Sequence, residues 1–280
     1  MELQQAKYTN RPLSGLSSIT RQRLAELLRA TKGSVTVSEA ATVWRLTPHQ
    51  AAKALAHFAM GGWLARVRRG LYVAIALDAT SPEPVVEDGW LLAKSLFDPC
   101  YIGGWSAAEH WDFTEQIFNS VIVISTRRPR KRLVKAGGIE FRIKTVRKQE
   151  MFGSQEVWRL NVKVAISTPA KTIVDMLDDP AIGGGIRPVA DVLGAYRRSK
   201  YFKAEDLAAT CQRFNSGAVF KRLGFLIERS LPDEQALIAL CLNNRSKGNA
   251  KLDPGLNCPR LSTRWRLWVP QNWKEAGHRD

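Results

Sequence analysis

The feature that most constrains this chain is a pair of short amphipathic segments with only about three residues between them. Residues 39–44 predict the first helix, with Ser38 as its N-cap. Thr47 predicts the start of the second, because Pro48 stands at the first helical position and Gln50 completes a capping box. Two short helices joined so tightly are typical of a helix-turn-helix motif.

The segments on either side complete a small domain. Leucines recur at helical spacing between arginines in residues 21–31, which predicts another helix ahead of the motif. Behind the motif, two β-prone runs at 63–67 and 71–75 are separated by an arginine-rich turn, which predicts a hairpin. Three helices followed directly by a hairpin predict a winged helix-turn-helix, which we expect to occupy residues 1–78.

Charge indicates what this domain binds. The chain carries a formal net charge of +16, and residues 1–80 hold 11 Lys or Arg against 4 Asp or Glu. An excess of that sign attracts nucleic acids, so duplex DNA is the expected partner. In the major groove Gln50 could read adenine and Lys53 guanine or a phosphate, while the hairpin would contact phosphates or a narrow minor groove. The candidate DNA-binding residues are Ser38, Thr47, His49, Gln50, Lys53, His57, Arg66, Arg68 and Arg69.

A second concentration of positive charge lies in residues 127–148, which hold ten basic residues and one acid. Outside it, residues 81–280 contain 21 basic and 21 acidic residues. The segment joins predicted strands at 120–125 and 139–143, so we expect an exposed basic loop at 127–135. Its expected partner is anionic, either DNA flanking the operator or RNA, with a solvated loop or a protein contact as the alternatives. The members of this second basic surface are Arg127, Arg128, Arg130, Lys131, Arg132 and Lys135.

The remainder of the chain predicts a second domain. Residues 79–87, with two prolines, read as a linker, and residues 88–280 as the domain that follows. A first helix is predicted at 89–97, strands at 120–125, at 139–143 and within 157–166, and further helices at 169–177, 187–198, 204–213 and 218–229. Because most helices follow the sheet, we expect an α+β fold, with a mixed α/β domain after the winged helix-turn-helix.

Metal-binding and membrane signatures are weak. The four cysteines lie far from one another and from the four histidines, so we expect reduced, mostly buried thiols and no metal site. No stretch approaches the roughly 18 uninterrupted apolar residues of a membrane-spanning helix. The N-terminus has no apolar core of the kind that a signal peptide needs. We therefore expect a cytoplasmic protein with no membrane partner.

Catalytic signatures are weak as well. His110 stands beside Glu109 and near Asp112, but side chains one and two residues apart diverge on a helix and do not form a triad. A restriction-type nuclease would place an acid two residues before a lysine on one strand, to hold a metal ion. Here Asn161 takes the place of that acid before Lys163, so the site would bind a metal poorly. We therefore expect no catalytic residues and no cofactor.

Several segments, in their order and spacing, are shared with one known family. They lie at residues 37–44, 47–62 and 66–73, and then at 101–108, 167–175, 183–185, 221–228, 252–254 and 265–267. With these segments the chain resembles the AbiEi-type antitoxins of type IV abortive-infection toxin–antitoxin systems from about residue 18 to about residue 270. None of the segments is a catalytic signature. Asp112-Phe113 departs from the family pattern, which has a glycine-centred turn there, and this leaves the local geometry open.

The resemblance implies a protein with two activities. The winged helix-turn-helix would repress the protein's own operon by binding inverted half-sites in its promoter. The C-terminal domain would neutralise a nucleotidyltransferase-like toxin, acting on the toxin's effect or target without requiring a stable complex. A plain transcriptional repressor without antitoxin activity is the first alternative, and a restriction-type nuclease is the second.

Overall fold

The computed structural model describes residues 15–31, 33–75, 88–159 and 162–273. The chain opens with three helices and three short strands. These elements are α1 (Ser18–Ala30), β1 (Val35–Thr36), α2 (Val37–Trp44), α3 (Pro48–Met60), β2 (Leu64–Arg68) and β3 (Leu71–Ala74). The helices and strands predicted between residues 21 and 75 are all present, with ends that differ by a few residues.

The remainder of the described chain supplies a six-stranded sheet, seven helices and a small three-stranded sheet. The strands of the larger sheet are β4 (Cys100–Ile102), β5 (Ser120–Ser125), β6 (Leu133–Ala136), β7 (Ile139–Thr145), β8 (Ser154–Arg159) and β9 (Val162–Ser167). The helices are α4 (Gly89–Phe97), α5 (Gly104–His110), α6 (Pro169–Asp178), α7 (Ile186–Arg198), α8 (Ala204–Phe214), α9 (Gly217–Ser230) and α10 (Gln235–Asn244). The smaller sheet contains β10 (Ala250–Lys251), β11 (Arg260–Ser262) and β12 (Leu267–Val269). Most helices follow the larger sheet, which confirms the predicted α+β class.

The described residues group into two compact units. The first comprises those of residues 1–99, 130–141 and 157–164, and the second comprises the rest. α4 therefore groups with the N-terminal elements, whereas we expected it to open the second domain. The predicted linker at 79–87 lies outside the described residues.

A small apolar core holds the first three helices together. Leu27 from α1 and Leu55 and Phe58 from α3 are buried in it, and the three strands close it in the order β1-β3-β2. The indole of Trp44 at the end of α2 packs 5.9 Å from the Phe58 ring and donates a 3.0 Å hydrogen bond to the carbonyl of Arg23 on α1. These contacts fix the angle at which α3 crosses the two preceding helices.

The larger sheet has the order β6-β7-β5-β4-β9-β8. β4 runs antiparallel to β5 and parallel to β9, with Ile102 opposite Ile166, so the sheet is mixed. β6 was not predicted, because we expected one basic loop from residue 127 to residue 135. Gly137 and Gly138 both adopt positive φ, at 59° and 75°, and this conformation turns residues 133–136 back as a strand beside β7. The loop therefore covers only the first part of that range.

Asp112, just after α5, occupies the position where the family pattern has a glycine-centred turn. Its φ is 58°, in the left-handed region. A short polar side chain such as Asp tolerates this conformation better than most residues, because it can hydrogen-bond locally. The turn therefore keeps the backbone that a glycine would adopt.

The four cysteines carry no disulfide, and Cys211, Cys241 and Cys258 are buried. Three of the four thiols are therefore buried, as expected. Burial raises the pKa of the Cys241 thiol to about 12, so this side chain stays protonated and poorly nucleophilic. Separately, the described helices include none that is both long enough and apolar enough to cross a membrane.

α9 packs closely against Trp265, which lies between β11 and β12. Trp265 is fully buried and its indole nitrogen donates to Glu228 at 2.5 Å. At Gly224 a Cβ would meet the Trp265 ring at 2.0 Å, so only glycine fits at that turn of the helix. The tryptophan ring thus packs directly on the backbone of α9.

We expect Gly224→Ala to lower the free energy of unfolding by about 1–3 kcal/mol, because the added methyl group would overpack a fully buried ring. Urea denaturation of the purified protein measures the change. Gly248→Ala is the matched control, since its Cβ would meet nothing within 4 Å, and it should change the stability by less than about 0.5 kcal/mol. Equal stability of the two variants would contradict this account of the packing.

Candidate nucleic-acid interface

α2 begins earlier than the sequence predicts. Its N-cap is Thr36, whose hydroxyl accepts a 3.2 Å hydrogen bond from the Glu39 amide, while the Thr36 amide donates to the Glu39 carboxylate at 2.8 Å. The prediction of Ser38 as the cap is therefore wrong. Thr36 caps the helix because its backbone is extended at the end of β1. It also has Glu39 three residues later, which completes a capping box. Ser38 lies exposed in the first turn of α2.

The turn between α2 and α3 is as short as predicted. Arg45 ends α2 in a left-handed conformation with φ of 52°, and the Leu46 amide donates back to the Ala41 carbonyl at 2.9 Å. Thr47 then caps α3, since its hydroxyl accepts from the Gln50 amide at 3.3 Å and its own amide donates to the Gln50 side chain at 3.0 Å. The predicted capping box of α3 is confirmed.

The exposed face of α3 carries the polar residues that the sequence singled out. His49, Lys53 and His57 are exposed, and Leu55 and Phe58 are buried on the opposite side. These three side chains share one face because residues four apart follow one another along a helix. The α3 surface therefore presents one ammonium and two imidazoles to solvent.

Gln50 is exposed as well, but its side-chain oxygen is already engaged. It accepts hydrogen bonds from both the amide and the hydroxyl of Thr47, each at 3.0 Å. A bidentate contact with adenine needs the oxygen and the nitrogen of the same amide group. Gln50 would thus have to release part of the cap in order to read a base in that way.

Met60 is an exposed residue of this face that the sequence reasoning missed. Its side chain is 65% exposed at the last position of α3, one turn beyond His57 and two turns beyond Lys53. Helical periodicity places it on the polar face, but an apolar residue is ordinarily assigned to the core. An exposed methionine here could contact the methyl group of thymine or a sugar.

The hairpin carries three exposed arginines in different settings. Arg66 lies on β2, Arg68 ends β2, and Arg69 stands in the turn beside Gly70, whose φ is 80°. The Val37 amide at the start of α2 donates to the Gly70 carbonyl at 3.2 Å, which ties the turn to α2. Arg68 donates from Nη2 to the Ser95 carbonyl on α4 at 3.0 Å, so its guanidinium already has a partner within the protein.

All six residues of the second basic surface are exposed. They are Arg127, Arg128, Arg130, Lys131 and Arg132 in the loop and Lys135 on β6. Three other basic residues of the 127–148 segment have partners in the second unit. The Arg142 guanidinium lies 5.1 Å from the centre of the Trp105 ring, Lys144 pairs with Asp178 at 2.7 Å, and Arg147 pairs with Glu150 at 2.6 Å. Contacts within the protein thus engage three cations of the segment, while the six basic residues at 127–135 are exposed to solvent.

The second unit also contains a buried ionic cluster, which we define as Tyr101, Lys171 and Asp175. Lys171 and Asp175 are fully buried one turn apart on α6 and form an ion pair. The Lys171 ammonium donates to the Tyr101 hydroxyl at 2.8 Å, and that hydroxyl donates to Asp175 Oδ2 at 2.9 Å. The rings of Phe152 and Phe214 lie 5.1 and 4.9 Å from the ammonium.

Burial decides the protonation behaviour of this cluster. It raises the pKa of the Asp175 carboxyl and lowers that of the Lys171 ammonium, while each opposite charge works against its partner's shift. Burial, together with the neighbouring Asp175 charge, also raises the pKa of Tyr101 well above its usual value. All three groups bond to one another inside the core, so the cluster is an internal tie between β4 and α6.

The other segments behind the family resemblance are also structural. Arg222 on α9 donates to the carbonyls of Leu177 at 2.7 Å and Lys251 at 3.0 Å, joining the end of α6 to β10. Asp253 accepts a 2.8 Å hydrogen bond from the Ile186 amide at the start of α7. Arg222 and Asp253 therefore belong to the framework of the second unit.

No constellation for catalysis emerges in the part of the chain that the structure describes. His110 ends α5 with its ring packed 4.7 Å from that of Trp111. Lys163 is exposed on β9, and Asn161 lies outside the described residues. In the same part of the chain no three or more His, Cys, Asp or Glu residues are grouped to hold a metal ion.

We expect Lys171→Met to lower the free energy of unfolding by about 3–5 kcal/mol, because it leaves the Asp175 carboxylate buried without its cation. The triple variant Tyr101→Phe, Lys171→Met and Asp175→Leu buries no unpaired charge, so it should be more stable than the single variant. Urea denaturation compares the two proteins. A triple variant less stable than Lys171→Met would show that the cluster contributes more than charge compensation.

A solved structure shares this fold. The crystal structure of the RV2827C protein from Mycobacterium tuberculosis superposes with a TM-score of 0.61, over 91% of this chain and 92% of that chain, at 14% sequence identity. No protein-family model matches the sequence. No curated protein shows significant similarity to it. At this level of identity the likeness is one of fold.

Proposed function

We propose that α1–α3 and the β2–β3 hairpin act as a winged helix-turn-helix that binds duplex DNA. The observation that carries the proposal is the combination of a tightly capped α2–turn–α3 unit and an arginine hairpin tied to it through Gly70. A polar face of α3 is left open beside that hairpin. A helix fits the roughly 12 Å wide major groove, and a hairpin next to it can follow the phosphate backbone.

The charge of this region favours a polyanion. In residues 15–31 and 33–75 eight arginines and lysines stand against two acids. One of these acids, Glu39, is bonded to Thr36 in the cap of α2. The other, Glu26, accepts from Gln22 at 3.3 Å. The cationic side chains of α3 and of the hairpin turn are thus available for phosphates.

We further propose that the chain is the antitoxin of a type IV system in the cytoplasm, which represses its own promoter and counters a nucleotidyltransferase-like toxin. The order of the segments shared with AbiEi-type antitoxins supports this assignment. The exposed cations at 127–135 support an additional anionic partner, either flanking DNA or an RNA connected with the toxin's activity. A plain repressor is the alternative.

Lys53→Ala should weaken binding to the DNA upstream of the chain's own reading frame. If Lys53 contacts a phosphate, the slope of log affinity against log salt falls in magnitude by about 1. Fluorescence anisotropy at several salt concentrations measures this slope. Lys200→Ala, which removes an exposed lysine between α7 and α8, is the matched control and should leave the slope unchanged. Unchanged affinity and an unchanged slope for Lys53→Ala would contradict the proposed docking of α3.

The antitoxin assignment predicts that the full chain restores growth to cells that express the nucleotidyltransferase encoded beside it. Lys53→Ala should relieve repression of a promoter reporter and still restore growth, because the two activities belong to different parts of the chain. Failure of the wild-type chain to restore growth would leave the plain repressor.

Growth rescue and the salt slope of promoter binding together test the role of the second basic surface. Arg127→Ala with Arg128→Ala impairs growth rescue if the surface binds RNA connected with the toxin. It lowers the salt slope of promoter binding and spares growth if the surface binds flanking DNA. A variant that behaves as wild type in both assays would reduce the segment to a solvated loop.

A further inference from the structure

α4 is bonded to the hairpin that we propose as the wing. Ser95 lies in the last turn of α4, where the helix itself supplies no amide donors for the carbonyls. Arg68 Nη2 donates to the Ser95 carbonyl at 3.0 Å. A guanidinium at the carboxyl end of a helix is also favoured by the helix dipole. The contact thus satisfies a group that α4 would otherwise leave to water.

A second contact joins α4 to the other side of the same sheet. The Ser95 hydroxyl donates to the Leu91 carbonyl at 3.1 Å and lies 2.7 Å from the Ser34 hydroxyl. Ser34 directly precedes β1, and β1 pairs with β3 at Val35 opposite Tyr72. Ser95 therefore contacts the strand before the helix-turn-helix through its side chain and the hairpin through its carbonyl.

The neighbouring arginine is placed differently. Arg69 lies in the turn between β2 and β3, and the positive φ of Gly70 makes that turn tight. Arg69 is exposed there. Arg68, in contrast, is bonded to α4.

We propose that Arg68 is a positioning residue, which fixes the wing to α4, and that Arg69 makes the phosphate contact. α4 then belongs to the DNA-binding machinery although it follows the winged helix-turn-helix in sequence. This inference rests on the proposed DNA-binding function. Charge alone would give both arginines the same phosphate-binding role, whereas the proposal gives that role to Arg69 only.

The two roles differ in their salt dependence. Arg69→Ala removes a phosphate contact, so it lowers the magnitude of the log–log salt slope by about 1 and weakens binding to promoter DNA. Arg68→Ala releases one charge-assisted hydrogen bond within the protein, so it weakens binding by about three- to tenfold with the slope unchanged. A slope for Arg68→Ala that falls as much as that for Arg69→Ala would overturn the proposal.

Hydrogen exchange of the full chain without DNA tests the contact between Arg68 and α4 independently of DNA binding. Arg68→Ala should speed exchange of the backbone amides in residues 66–72, and Ser34→Ala should speed it in the same strands. Arg69→Ala should leave exchange there as in wild type. Unchanged exchange in Arg68→Ala would overturn the positioning role. Faster exchange in Arg68→Ala would support the positioning role of Arg68 even if the wild type showed no salt-dependent binding. In that case only the proposed DNA-binding function would be rejected.

Discussion

The packing of α6 in the second unit depends on the buried ion pair of Lys171 and Asp175. An ammonium away from water must be paired and hydrogen-bonded, and Asp175 one turn further along α6 and the Tyr101 hydroxyl meet both needs. Because Tyr101 belongs to β4, the requirement fixes α6 against a central strand of the larger sheet. Arg222 adds a second cation that bonds the end of α6 to β10. Polar groups therefore set the register of this α+β unit, and apolar side chains fill the space between them.

Local signals predicted what local interactions decide. The capping box at Thr47, the amphipathic face of α3 and the hairpin behind it each depend on residues a few positions apart, and the structure has all three. The Gly137-Gly138 turn is an equally local signal for β6. The prediction missed this strand because the basic residues of the segment favoured a loop. The grouping of α4 with the N-terminal elements had no such signal, because its contacts with them join residues distant in sequence, as in the Ser34–Ser95 and Arg68–Ser95 hydrogen bonds.

Charge was the least reliable guide to individual side chains. Composition located the two basic regions, but composition cannot tell a cation that faces solvent from one that the fold uses. Arg142 stacks on a tryptophan, Lys144 pairs with an aspartate and Arg68 binds a helix carbonyl. The candidate interface was therefore predicted as a region, and the contacts within the protein sort its members.

Gln50 gives this architecture an unusual restriction. The same amide group starts α3 and stands where a base contact is expected. A change of residue at this position alters two properties at once, the stability of the first helical turn and the chemistry offered to the groove. Glutamate would keep the cap but bring a negative charge toward phosphates, and most other residues would lose the cap. In the proposed interface a substitution at His49 or Lys53 would leave the start of the helix intact, so new sequence preferences should evolve more readily at those two positions.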